Sequence, residues 1–173
     1  MHRLFTPLLS LPLLFAASAM HAAAQQMPDA QLAKPVIGAC QACLKNYSVD
    51  ELADILRSEG YGAVKKLNDT LLSFKASGEP MGLALTKNQD IVLLFIVSRQ
   101  ALPLSAVNEW NYTRVYTKLH VSKRGSNVLR LVLPNVGRAG YRDKAIKSAV
   151  RFFARSQVPA FIRFYMKARK AAQ

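Results

Sequence analysis

Hydrophobic and polar positions along the chain follow two spacings, one typical of helices and the other of strands. From Ser48 to Glu59 the apolar residues recur at helical spacing. The leading S-V-D-E is a capping box, in which the hydroxyl and the carboxylate each bond a free backbone amide. Gly60 follows where a left-handed cap residue is favoured. The pattern therefore predicts a helix over residues 48–59.

Strand spacing follows this helix in three short stretches, at residues 63–67, 70–76 and 81–86. Asn-Asp and Ser-Gly pairs separate them as turns. The next run, from Ile91 to Val97, is apolar without interruption, which indicates a strand in the middle of a sheet with both faces buried. Period alone does not distinguish such a strand from a buried helix segment. We predict that this run is the inner strand of the sheet.

A helix followed by a hairpin is predicted between Ser105 and Leu133. Ser105 is placed to cap the helix, and the alternation from Val115 to Val121 predicts a strand that a Lys-Arg-Gly-Ser turn joins to residues 128–133. We expect the tryptophan of the helix to plug the core, with an acceptor for its indole N–H, and its asparagines to bond backbone groups at strand ends. We interpret this motif as structural, with ligand contact by its arginine as the alternative. The motif consists of Asn108, Trp110, Asn111 and Arg114.

Two basic amphipathic helical segments are predicted near the C-terminus. Asp143 is placed to cap the first segment. Pro159 interrupts the pattern, because proline cannot donate the helical hydrogen bond and biases Val158 away from helix. In both segments apolar residues form one stripe and basic residues another. The basic residues are candidate anion-binding residues: Lys144, Lys147, Arg151, Arg155, Arg163, Lys167 and Lys170.

The first 24 residues have the pattern of a secretory signal peptide. Arg3 precedes an apolar run from Leu8 to Ala19, and the small residues up to Ala24 resemble a cleavage site. A membrane anchor is the alternative, but the run is shorter than the ~20 apolar residues that span a bilayer. We predict cleavage after Ala24 and a periplasmic or secreted protein. A polar leader would then occupy residues 25–46 and a single domain residues 47–173.

Removal of residues 1–24 leaves a strongly basic chain. Only Arg3 is lost from the 24 Lys and Arg, so 23 basic minus 10 acidic residues gives +13. An exported protein with this charge is suited to an acidic partner, a polyanion or an anionic membrane surface, although solubility alone also explains it. Export argues against nucleic acid as the partner, because it separates the protein from cytoplasmic DNA and RNA.

Cys40 and Cys43 form a C-x-x-C pair in the polar leader. Export to an oxidising compartment favours a local disulfide between them. Redox chemistry of the thioredoxin type is the alternative, but it would place the pair after a strand, and the preceding residues lack strand spacing. A structural zinc site needs four ligands, and His120 is the only histidine after residue 24. We therefore predict a disulfide, and neither a metal nor another cofactor.

The sequence contains no familiar catalytic pattern. His120 stands alone on a predicted strand, and the 10 acidic residues are scattered. Phosphate-loop, serine-hydrolase and zinc-protease motifs are missing. Catalysis needs a positioned base, nucleophile or metal. The sequence therefore predicts a protein that is not an enzyme.

The asparagine and tryptophan motif, entered from an apolar strand and leaving into a hairpin, resembles that of the YbjN family of bacterial sensory transduction regulators. The likeness covers about residues 48–165 and rests on N-E-W-N at residues 108–111 with Arg114 following. It implies an α+β fold in the order α-β-β-β-β-α-β-β-α. In this fold a bent antiparallel sheet packs against helices, as in type III secretion chaperones. The signal peptide and the basic C-terminal part depart from many relatives.

The resemblance also implies a non-catalytic binding or regulatory module with a stress- or envelope-related role. Type III secretion chaperones bind extended segments of other proteins, often as dimers, so the resemblance implies a protein partner received on the sheet and a homodimer. It brings no catalytic residues. The alternative function is binding to a membrane surface or polyanion through the basic C-terminal helices. Against that alternative, the aromatic residues of these helices can pack on the sheet while the basic ones are merely solvated.

Overall fold

Six antiparallel strands form one sheet in the computed structural model, which describes residues 44–97 and 100–171. The strands are β1 Gly62–Asn68, β2 Leu71–Ala76, β3 Glu79–Leu85, β4 Ile91–Val97, β5 Lys118–Val121 and β6 Asn127–Leu133. Their order in the sheet is β1-β2-β3-β4-β6-β5. The predicted α+β class and the order of elements are confirmed. The predicted signal peptide and the predicted disulfide between Cys40 and Cys43 lie outside the described residues.

Four α-helices accompany the sheet in the described residues, and the first begins as predicted. Ser48 Oγ accepts a hydrogen bond from the Glu51 amide at 3.2 Å, and Glu51 Oε2 accepts one from the Ser48 amide at 2.9 Å. Both halves of the capping box are therefore formed. Gly60 has a φ of +80° just after the helix ends. The helices are α1 Val49–Ser58, α2 Leu104–Thr113, α3 Asp143–Phe152 and α4 Val158–Ala171.

β4 lies inside the sheet between β3 and β6, as its apolar run predicts. Leu93 in the middle of this strand pairs with Leu83 on one side and with Leu131 on the other. The expectation that both faces of β4 are buried is wrong. Leu93 is fully buried, but Ile96 is 49% exposed, because the described helices pack on one face of the sheet only.

The hydrophobic core lies between this inner face of the sheet and the helices. Inward-facing strand residues such as Leu72, Leu83 and Leu93 share one cluster with Leu52 of α1 and Phe161 of α4. Burial of each such side chain contributes on the order of 2 kcal/mol before chain entropy is subtracted. All described residues belong to one compact unit. The helical layer and the inner face of the sheet therefore depend on each other for stability.

Two helices begin without the caps that the sequence suggests. Pro103, in an extended conformation, precedes α2, so Ser105 lies within the helix and not at its cap. Asp143 is the first residue of α3, and its carboxylate accepts a hydrogen bond from the Tyr47 hydroxyl instead of a helix amide. The Asp143 carboxylate is thus engaged by Tyr47 of the segment before α1, and Ser105 is an exposed residue of the first turn of α2.

A π-helical turn at residues Phe153–Gln157 joins α3 to α4. Val158 has helical φ and ψ of −63° and −48°, so the prediction that it leaves the helix is wrong. The ring of Pro159 would clash with the carbonyl four residues earlier in a regular α-helix, and the wider π turn relieves this clash. Pro159 thus marks a change of helical geometry and not an end of the helix.

Candidate binding face

The outward-facing side chains of the strands form a surface that no described helix covers, which we name the open face. On β4 these residues alternate with the buried ones, and Leu94 pairs with Gly82 of β3 and with Arg130 of β6. Residues that pair across strands lie on the same face. The open face consists of Gly62, Lys65, Leu67, Asn68, Leu71, Ser73, Lys75, Pro80, Gly82, Ala84, Val92, Leu94, Ile96, Lys118, His120, Val128, Arg130 and Val132, of which Val128 is buried.

An apolar strip runs through the middle of the open face. Ile96 is 49% exposed and Val132 36% exposed, whereas Leu93 and Leu129 on the inner face are fully buried. A depression of about 260 Å³ lies in this strip where Gly82 has no side chain. A contiguous exposed apolar surface is typical of an interaction site. The outward side chains around the depression are Leu67, Leu71, Ser73, Pro80, Leu94 and Ile96.

Basic side chains border the apolar strip on both sides. Lys65 and Lys75 lie on β1 and β2, while Lys118 and Arg130 lie on β5 and β6. Within the described residues, this face has no acidic side chain. The open face therefore combines an apolar centre with a positively charged border.

The two outer edges of the sheet are protected against pairing with another strand. Two register shifts interrupt the ladder between β1 and β2, and bulges together with lysines blunt an edge strand. At the other edge, Asn111 of α2 accepts a hydrogen bond from the Leu119 amide at 2.8 Å and donates one to the Leu119 carbonyl at 2.9 Å. The side chain of Asn111 thus caps β5, which begins at Lys118 and not at the predicted Val115.

Trp110 closes the helical side of the core, as predicted for the motif tryptophan. It is 1% exposed, and its ring centroid lies 5.4 Å from that of Phe161 and 5.2 Å from that of Phe164. Phe161 in turn contacts Phe95 of β4 at 6.1 Å, so aromatic contacts join α2 and α4 to the inner strand. The expected acceptor is not found, because Trp110 Nε1 has no hydrogen-bond partner among the described residues.

The other motif residues divide between structure and surface. Asn111 bonds the backbone of β5 as expected. Asn108 is exposed, and residues 44–97 and 100–171 show no hydrogen bond from its side chain, so the expected bond to a backbone group is not found there. The Arg114 guanidinium lies 5.2 Å from the centre of the Trp110 ring. This cation–π contact gives Arg114 a structural interaction without a ligand.

The candidate anion-binding residues lie on α3, α4 and the turn between them, and the aromatic residues of these helices are buried or partly buried. Phe153 and Phe161 are fully buried, which agrees with the interpretation that the aromatic residues cover the sheet. Arg151 and Lys147 pair with Glu59 at 2.8 Å and 3.3 Å, and together they lower the pKa of Glu59. No described helix is both long and apolar enough to cross a bilayer. The remaining candidates have no ion pair with a described residue: Lys144, Arg155, Arg163, Lys167 and Lys170.

A cluster of ionisable side chains lies at the start of α1, beside a cavity of about 300 Å³. Lys45 donates to Glu51 at 2.9 Å, and the Tyr47 hydroxyl donates to Asp143. Burial, and then the hydrogen bond to Asp143, raises the pKa of Tyr47 well above its usual range. The Ser48 amide, and then Lys45, lowers the pKa of Glu51 to about 2. Each group is thus engaged by a neighbour, and no group of three or more potential metal ligands is found in the described part of the chain.

Sequence patterns assign the residues of the open face to strands but do not reveal them as a site. The signal that could have located the depression is the pair of small residues Gly82 and Ala84, which lie opposite the bulky Leu94 and Val92. The buried Asn127, which accepts a hydrogen bond from the Leu102 amide at 2.8 Å, was not predicted either. A single asparagine in a strand pattern carries no sign of such a contact.

Comparisons with protein-family models, curated proteins and solved structures give no match for this chain. The resemblance to the YbjN family and the chaperone-like type of the fold therefore stay predictions. Function has to be inferred from the open face and from the charges around it.

Proposed function

We propose that this chain is an exported, non-catalytic binding module that receives a segment of a protein partner on the open face of its sheet. The observation that supports this proposal is the exposed apolar strip in the middle of the sheet. Ile96 is an aliphatic residue of the type usually found in a hydrophobic core, but its side chain is half-exposed on this face. A partner that covers the strip would remove it from water, which is favourable by about 25 cal/mol per Å² of apolar surface.

The face of the sheet, and not an edge, is the proposed contact surface. An added strand requires free backbone groups at an edge. Register shifts interrupt the regular course of β1, and Asn111 occupies the backbone groups of Leu119 in β5. The proposed binding therefore depends on side-chain contacts across the strands.

The ionisable groups of the described residues favour binding over catalysis. Catalysis requires a base, nucleophile or metal positioned at a pocket. The depression at Gly82 is lined by apolar side chains and Ser73, and the ionisable cluster at the start of α1 is engaged in internal contacts. A regulatory role in the cell envelope, as the resemblance to the YbjN family implies, is the setting that we propose.

Site-specific crosslinking in living cells tests this proposal. A photoreactive amino acid replaces Ile96 on the open face, and a matched variant carries it at Met166, an exposed apolar residue of α4. We expect a discrete protein adduct from Ile96 and none from Met166. Equal adducts from the two positions, or lipid or polysaccharide as the only product at Ile96, would contradict the proposal.

A second candidate function is binding to an anionic membrane surface or polyanion through α3 and α4. The observation in its favour is that basic side chains such as Lys167 and Lys170 are exposed and have no acidic partner in the described residues. The aromatic residues beside them are core residues, so this binding would be electrostatic and would weaken as salt is raised. Co-sedimentation with anionic vesicles tests it. Less binding by the double variant Lys167→Glu, Lys170→Glu would support it, and no binding at low salt would exclude it.

A further inference from the structure

We propose that the partner segment is an acidic amphipathic helix, which lies along β4 and places one large apolar side chain in the depression over Gly82. This inference rests on the proposed function and adds the chemistry of the partner to it. Three properties of the open face support it: the dimensions of the apolar strip, the depression in the strip and the sign of the charges at its border.

The apolar strip has the dimensions of a helix. Val92, Leu94 and Ile96 cover roughly 13 Å along β4, at about 3.3 Å per residue. The neighbouring strands lie roughly 5 Å to either side, and at the level of Val92 they present Ala84 and Val132, both apolar. At this level the strip is therefore about 10 Å wide, which is about the diameter of a helix, and at the level of Leu94 it is bordered directly by Arg130. At about 1.5 Å per residue, two to three turns of a helix would cover its length.

The depression provides room for one anchoring side chain. Gly82 pairs with Leu94, and a Cβ placed on Gly82 would lie 3.4 Å from the Leu94 Cβ. The missing side chain therefore leaves its space beside Leu94 open, and the depression of about 260 Å³ admits a large apolar side chain there. Interfaces commonly gain most of their affinity from a few such anchors in pockets.

The basic residues at the border of the apolar strip indicate which charge a partner would carry. Lys65 and Lys75 on one side, and Lys118 and Arg130 on the other, leave the described open face without a negative charge. A helix with acidic residues on both flanks would meet a basic group on each side. A second copy of this chain would instead bring four more cations to the same surface, and like charges across an interface are strongly unfavourable. The charge pattern therefore favours an acidic partner over self-association through this face.

Fluorescence anisotropy with a defined probe tests this inference on the purified protein. The probe is a labelled helical peptide with a stripe of leucines and glutamates on both flanks, and the control probe has lysines in place of the glutamates. We expect only the glutamate probe to bind, with an affinity that falls as salt is raised. Equal binding of the lysine probe would overturn the inference.

Two charge-reversed variants distinguish the open face from the overall charge of the protein. Lys75→Glu with Arg130→Glu alters the border of the strip, and Lys167→Glu with Lys170→Glu makes the same change of charge on α4. We expect the first variant to weaken binding of the glutamate probe at least about tenfold, and the second less than about twofold. Equal losses in the two variants would indicate non-specific attraction and overturn the inference.

Filling the depression tests the anchor without disturbing the fold. The φ of Gly82 lies outside the left-handed region and valine suits a strand, so we expect Gly82→Val to retain the thermal unfolding midpoint of the parent protein. Probe binding should fall at least about tenfold. Undiminished binding by the folded variant would overturn the inference. Loss of self-association in Gly82→Val would also overturn the inference, because the open face would then bind a second copy of this chain. Loss of binding to anionic vesicles would overturn it too, because the open face would then bind a lipid surface.

Crosslinking at Ile96 distinguishes failure of this inference from failure of the proposed function. A discrete protein adduct attached through a neutral or basic segment would support the proposed function as a binding module. It would overturn the inference that the partner segment is an acidic helix. No protein adduct at Ile96 would overturn both. An adduct attached through an acidic segment with a stripe of apolar residues would support both.

Discussion

The two faces of β4 carry the same kinds of side chain in different environments. Ile91, Leu93 and Phe95 are at most 3% exposed beneath the helices, whereas Ile96 on the opposite face is 49% exposed. Residue type does not account for this difference, because both sets are aliphatic or aromatic. It arises because the described helices pack on the same side of the sheet. One apolar strand can therefore belong to a core on one face and to a binding surface on the other.

The two sides of the sheet also differ in how their charges are matched. On the helical side, Glu59 pairs with Lys147 and Arg151, and Glu51 pairs with Lys45. The described open face has basic groups around an apolar strip and no acidic group. The helical side thus contains acidic partners for some of its basic groups, although the five remaining candidate anion-binding residues of α3, α4 and the turn between them have none among the described residues. The described open face contains no acidic partner at all. Unmatched charge beside exposed apolar surface is the combination that a partner of opposite charge would complete.

We expect the largest effect on stability from truncation of Trp110, which lies on the helical side of the sheet. Its removal would leave a cavity beside Phe161 and Phe164, and truncation of a buried aromatic residue costs about 3–5 kcal/mol. We expect Trp110→Ala to lower the free energy of unfolding by this amount in chemical denaturation. Unchanged stability together with lost partner binding would instead place the tryptophan in the binding surface.

Two adjacent leucines of β4 test the difference between the faces directly. Leu93→Ala should lower the free energy of unfolding by about 2–4 kcal/mol, because it leaves a cavity beneath the helices. Leu94→Ala should lower it by less than about 1 kcal/mol, because that side chain is already partly in water. Urea denaturation of the two variants measures both values. Similar losses at the two positions would mean that the open face is covered.

The two asparagines of the motif provide a smaller contrast. Asn111→Ala removes both hydrogen bonds to Leu119 at the edge of β5, which should cost about 1–2 kcal/mol. Asn108→Ala changes an exposed side chain and should alter the free energy of unfolding by less than about 0.5 kcal/mol. Denaturation curves measure this difference, and hydrogen exchange at the Leu119 amide locates it. Equal losses would contradict the role of Asn111 as a cap of the sheet edge.

Much of the fold was predictable from sequence, because caps, turns and periodicity are local features. The capping box that begins at Ser48 marks the start of α1, and the apolar run from Ile91 to Val97 indicates a strand inside the sheet. The local sequence pattern does not predict on which face of the sheet the helices pack. That side depends on contacts between distant residues, such as Trp110 with Phe161. The burial of the second face of β4 was predicted wrongly for this reason.

The candidate site was less predictable than the fold. Trp110 and its neighbouring asparagines are conspicuous in the sequence, yet the described contacts of Trp110 and Asn111 hold the core and the edge of β5. The open face consists of ordinary residues from six strands, and their relation becomes visible only through the register of the sheet. Gly82 matters because Leu94 lies opposite it, and Lys75 matters because it borders the same strip.

The smallest effect is expected from acid pH, which acts on the helical side because the described open face has no acidic side chain. The Ser48 backbone amide, followed by Lys45, lowers the pKa of Glu51 from 4.5 to about 2. Because this pKa is lower in the folded chain than in the unfolded one, the folded state binds the proton less readily. The contribution of Glu51 to stability is therefore complete above about pH 4.5 and is lost as the pH falls toward about 2.

Thermal unfolding of the parent protein and of Glu51→Gln, from about pH 6 to about pH 2 at constant ionic strength, checks this expectation. The parent should unfold at the higher temperature near pH 6. The difference should almost vanish near pH 2, since protonated Glu51 and glutamine both lack the charge that favours the first turn of a helix. A difference that stays constant over this range would mean that the capping box holds α1 through hydrogen-bond geometry alone. Ionic contacts would then contribute nothing at this end of the helical layer, and the contrast in charge between the two sides of the sheet would concern binding and not stability.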